Sequence, residues 1–176
     1  MNRRPWLLYT AFGLEILLLF LAGDAPGLLP AVCGVVPSLL IPASVSIALT
    51  VTDVLPAMVF GVVCGLLSDF SRGGPYGPSA MVLAVLCYAI ALLRCSVLQK
   101  NLLTALLLTA PAIILAVLFQ WLFFYVGAGY SGAVYALIFR YLPMAGYTFA
   151  AAVPIYFATR GLAVLCRSNH RKRRRR

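Results

Sequence analysis

A chain of 176 residues in which 63% are hydrophobic and 10% charged lies far from the soluble balance of roughly 45–50% apolar and about 25% charged. Its formal charge of +10 rests on 14 Lys and Arg against four acids. These values exclude an ordinary soluble domain and describe an all-α integral membrane protein. At about 20 apolar residues per crossing of a ~30 Å hydrocarbon core, the chain has room for roughly six spans and no separate soluble domain.

Apolar runs between turn residues place the spans. Helix 1 is expected over about 5–22 and is closed by Gly23-Asp24-Ala25-Pro26-Gly27. Arg3 and Arg4 before this apolar run also fit a cleavable signal, but Glu15 in its middle favours a helix that stays and buries the acid against neighbours. Helix 2 is expected over about 28–50, kinked by Pro30, Pro37 and Pro42 and packed inside protein that satisfies the freed carbonyls. Helix 3 follows at about 54–70, helix 4 at about 77–93, helix 5 at about 102–126 and helix 6 at about 141–163. Pro111 and Pro154 raise the expectation of bends in helices 5 and 6.

With six spans, one side of the membrane holds Arg3, Arg4, Arg94, Lys100 and the basic residues from Arg167 onward, whereas the other holds Arg72 and Arg140. The positive-inside rule then places both termini in the cytoplasm. The domain expected is a single transmembrane unit over 1–166, followed by a polybasic tail over 167–176. In that tail Arg171, Lys172, Arg173, Arg174, Arg175 and Arg176 suit a grip on anionic lipid headgroups, worth about 1 kcal/mol per charge. An Arg run can bind nucleic acid, but no aromatic residues are interleaved with it, so no nucleic-acid partner is expected.

Chemistry-bearing groups are sparse. The five cysteines, at 33, 64, 87, 95 and 166, form no C-x-x-C pair and read as small packing residues. The single histidine, His170, lies in the tail, so a zinc site is not expected. There is no G-x-S-x-G and no pair of carboxylates on one span, and we expect no enzyme, no cofactor and no metal.

The informative stretch is GVVCGLLSDFSRGGPYGPS, residues 61–79. Ala57, Gly61, Gly65 and Asp69 recur every four residues, and each step of about 400° drifts only ~40° around a helix. They draw one slanted small-residue stripe, a face on which another backbone can approach closely. The neighbour is either a helix of this chain or the span of a partner. Asp69 falls at the helix C-terminus, where the macrodipole disfavours negative charge, and needs a cation or hydrogen-bond donors. Arg72 is the local candidate. Gly73, Gly74, Pro75 and Gly77 then specify a short turn, with Gly77-Pro78-Ser79 as the start of the next helix.

The pattern Gly61-x-x-x-Gly65-Leu66-Leu67-x-Asp69, a short polar loop with Gly74, Pro75 and Gly77, and an apolar helix containing Tyr88 resembles the MreD family, small membrane subunits of the bacterial rod-shape system. The resemblance implies a non-catalytic role in cell elongation. It implies binding to the single-span protein MreC and, indirectly, work with RodA, a class B penicillin-binding protein and MreB filaments in placing lateral peptidoglycan synthesis. It also implies residence in the bacterial cytoplasmic membrane and a fold resembling the substrate-capture subunits of energy-coupling-factor transporters.

That last likeness supplies the alternative, a substrate-capture subunit for a vitamin or small solute. It would need convergent polar groups in an outward pocket, for which Gln120, Trp121, Tyr125, Tyr135, Arg140 and Tyr147 are the candidates. Ala11 followed four residues later by Glu15 departs from the small-residue docking stripe that such subunits carry on helix 1.

Overall fold

The structure is a computed structural model that describes residues 6–25, 37–51, 53–72, 77–96, 102–123, 135 and 137–173, with the side chains of 72, 95–96, 102–105, 140 and 166–173 excepted. Among these residues there are six α-helices: α1 (Trp6–Asp24), α2 (Leu40–Thr50), α3 (Val54–Arg72), α4 (Pro78–Ser96), α5 (Leu102–Trp121) and α6 (Leu142–Arg173), the last preceded by a π-helical turn at Leu137–Tyr141. No strand occurs among the described residues. Three helical stretches, Trp6–Asp24, Val54–Ser71 and Leu137–Leu165, are long and apolar enough to cross a membrane.

The helices alternate in direction. Tyr9 meets Asp53 and Asp24 meets Ser71, so α1 and α3 run parallel. Gly61 faces Leu83 and Cys87 while Gly65 faces Ala80, so α3 and α4 are antiparallel. Arg94 near the end of α4 donates to the carbonyl of Val51 just past α2, and the Ser38 amide donates to Thr148 Oγ1 at 3.1 Å, which aligns α2 with α4 and α6. The start of α1 and the end of α6 consequently lie at the same end of the bundle.

α2 departs most from the expectation over 28–50. Pro37, Ser38 and Leu39 are not helical, and the helix occupies only Leu40–Thr50, 11 residues or roughly 16 Å. Pro42 does not kink it, because it sits in the first turn, where its missing N–H has no intrahelical acceptor to satisfy. Pro30 lies outside the described residues. Every residue from Leu40 to Ala48 is buried, so α2 is the axis around which α3, α4, α5 and α6 assemble. Its serines are accommodated locally, Ser44 Oγ donating to the Ile41 carbonyl at 2.8 Å. Phe12 and Ile16 of α1, Ile41 and Ile47 of α2, Leu83 of α4 and Ile113 of α5 share the main apolar core.

The other helices hold to within a few residues of their expected spans, except at the last. α6 continues to Arg173, so the basic residues through 173 prolong a helix instead of following its end.

Candidate functional site

The four acids organise the polar interior, and the described partner of each is a neutral donor on a separate segment. The most enclosed is Asp69, with no exposed surface. It lies in the last turn of α3, yet its Oδ2 accepts the backbone N–H groups of Gly77 at 2.9 Å and Ser79 at 3.2 Å. These belong to the start of α4, whose first amides have no intrahelical acceptor. Asp69 is therefore the N-terminal cap of the neighbouring helix, a negative group set against a helix N-terminus where the dipole favours it. The donors are backbone amides and the acid is buried. The Arg72 side chain lies outside the described atoms.

Gly77 makes this approach feasible through its backbone, with φ at +123°, a conformation that side-chain-bearing residues rarely adopt. Pro78 opens the helix at the first position, where its missing donor costs nothing. Gly73, Gly74 and Pro75 lie outside the described residues.

The stripe leading to Asp69 is buried throughout. A Cβ on Gly65 would stand 2.3 Å from Ala80 Cα and 2.7 Å from the Ser79 carbonyl, and one on Gly61 would stand 2.7 Å from the Leu83 carbonyl. The backbones of α3 and α4 are thus in contact through hydrogen alone at these two positions. Ala57 continues the seam and packs with Cys87, Ile90 and Ala91. Of the two neighbours the sequence left open, the structure seats α4 on this face, so a partner's span has no access to it.

Glu15 is buried, and its Oε1 stands 2.6 Å from Thr159 Oγ1 on α6. The acid reaches α6 because α1 packs along it in antiparallel fashion. Thr159 Oγ1 is also 2.9 Å from the Ile155 carbonyl, so one hydroxyl proton faces two acceptors. Cys64 and Cys87 are buried free thiols in the apolar core.

Of the residues named for a capture pocket, Gln120, Trp121, Tyr135 and Tyr147 are described, and they lie in different settings. Gln120 is buried, and its Nε2 donates to Ser79 Oγ at 3.1 Å. Tyr135 is exposed and stacked on Phe139 at 4.4 Å between ring centroids. Tyr147 and Trp121 are half-buried, while Tyr125 and the Arg140 side chain lie outside the described atoms. An open groove of about 530 Å³ lies between α5 and α6, but Leu106, Leu107, Ala110, Pro111, Ile114 and Phe149 line it and none of the named residues does. No group of three or more His, Cys, Asp or Glu able to hold a metal occurs among the described residues. The side chains of Arg171, Lys172 and Arg173, and all of Arg174, Arg175 and Arg176, lie outside the described atoms.

Ser79 and Thr159 are the functional partners that sequence reasoning did not single out. Their only signal is a small hydroxyl in an otherwise apolar helix, which does not say which acid it meets. No protein-family model matches this chain, and neither a curated protein nor a solved structure matches it.

Proposed function

We propose that this chain is a non-catalytic, multi-pass subunit of the bacterial cytoplasmic membrane that serves the rod-shape complex in the manner of the MreD family. In this reading it binds MreC and helps organise lateral peptidoglycan synthesis through RodA, a class B penicillin-binding protein and MreB. The observation that carries the reading is the hairpin: Gly61, Gly65, Asp69 and Gly77, on which the family resemblance rests, meet in one α3–α4 unit. The alternating helices support it as well, because they leave both ends of the described chain at one face of the bundle, where the positive-inside rule sets the cytoplasm. Since α4 covers the glycine face, MreC's span docks elsewhere on the bundle.

Affinity purification of the tagged protein from its native membrane in mild detergent, with partners identified by mass spectrometry, tests the proposal. MreC and wall-elongation enzymes are expected. Recovery of a coupling subunit with two cytoplasmic ATPases would overturn the reading in favour of a transporter component.

A further inference from the structure

Three helix ends meet beside Asp69: the last turn of α3, the first turn of α4 and the last turn of α5, which brings Gln120. Ser79 joins them, its amide bonded to Asp69 and its hydroxyl to Gln120. Two side-chain atoms in this cluster, Asp69 Oδ1 and Gln120 Oε1, are buried and have no hydrogen-bond partner among the described residues. Asp69 is 0% and Gln120 2% exposed, so bulk water does not reach them. Both orphans are acceptors. Whatever completes the cluster must therefore bring donors or positive charge.

The charge balance selects between those. The carboxylate contributes one negative charge, and the C-terminal end of α3 adds the equivalent of roughly half a negative charge. The N-terminus of α4 returns roughly half a positive one. A neutral water would supply hydrogen bonds but leave this excess in a buried place, whereas a cation answers both needs. The available atoms are a carboxylate, an amide carbonyl and a hydroxyl oxygen, all hard ligands that suit alkali and alkaline-earth ions. With a single carboxylate, one positive charge is the match.

We propose that Asp69, Ser79 and Gln120 form a binding site for a small monovalent cation of the sodium class, which locks the ends of α3, α4 and α5 together. The full-length protein, purified in mild detergent and free of sodium, provides the test. Saturable binding of radioactive sodium ion is expected, together with an unfolding temperature several degrees higher in sodium chloride than in choline chloride of equal ionic strength. Asp69→Asn and Gln120→Leu should each abolish the sodium-dependent increment. Absence of saturable sodium binding to the wild-type chain, or equal unfolding temperatures in the two salts, would overturn the site. So would an increment that survives in Gln120→Leu, or one that follows pH and is indifferent to sodium, which would identify the missing partner as a proton. Should Asp69→Asn fail to fold, the wild-type binding measurement and Gln120→Leu decide the matter.

Discussion

The α3–α4 hairpin and α1 are built from equally greasy sequence but are held in different proportions of packing and hydrogen bonding. In the hairpin, two glycines bring backbones into direct contact and a fully buried acid crosses from one helix to cap the other. α1 buries only Phe12, Glu15 and Ile16 and turns Leu7, Leu14, Leu17, Leu18 and Leu21 outward. Its attachments are polar and spaced along its length: Tyr9 to Asp53 at 3.5 Å, Glu15 to Thr159 at 2.6 Å, and Asp24 to Ser71 at 2.8 Å. In lipid, where apolar side chains gain little by preferring protein to hydrocarbon, these are the two available devices, close packing and hydrogen bonding. The hairpin packs backbone on backbone; α1 joins its hydrogen bonds to ring contacts of Tyr9 and Phe12 with Phe60 and of Phe20 with Phe70.

Substitutions can break this contrast in order of expected effect. Gly65→Leu, which places a branched side chain where even a Cβ lies 2.3 Å from Ala80 Cα, should cost more than about 3 kcal/mol. Loss of the monodisperse peak in size-exclusion chromatography in mild detergent would show it, and normal accumulation would contradict the seam. Asp69→Ala removes the acceptor for the amides of Gly77 and Ser79 and should cost about 2 kcal/mol. Thermal unfolding in detergent reads this, and a variant as stable as wild type would disprove the capping role. At α1 the effects should be smaller. A double-mutant cycle between Glu15→Ala and Thr159→Val should return a coupling near 1 kcal/mol, and Glu15→Gln, which can donate to Thr159 Oγ1, should lie within about 0.5 kcal/mol of wild type. A coupling of zero would show that α1 is held by packing after all. Gly13→Ala should be neutral or stabilising by up to about 1 kcal/mol, because no atom lies within 4 Å of the added methyl group. A large loss there would reveal a close neighbour on α1's outward face.

The stripe from Ala57 to Asp69 was legible because a fourfold spacing fixes which residues share a face, whatever the face meets. What it meets was not legible, since small residues accept a backbone from within the chain or from outside equally well. The same holds for Asp69: its position at a helix end announced a need for donors, and Arg72 was the nearest in sequence. The donors come from residues 77 and 79 because the chain reverses, and that proximity exists only in three dimensions. α2 was misjudged in length for a different reason. Its apolar run gives no signal of where a buried helix stops, and Pro42 reads equally as a kink or as a first-turn residue until the preceding segment is seen. Gln120 and Ser79 were each visible as polar residues in apolar helices, but 41 positions separate them.

The cap supplied by Asp69 has a consequence for biogenesis. The free amides at the head of α4 find their acceptor in a helix that leaves the ribosome earlier. An uncapped helix start costs several kcal/mol for each amide left unsatisfied in hydrocarbon. On the membrane reading proposed above, α4 settles into the bilayer against a template already made, and the pair enters as one reversing unit, its second limb registered by the first.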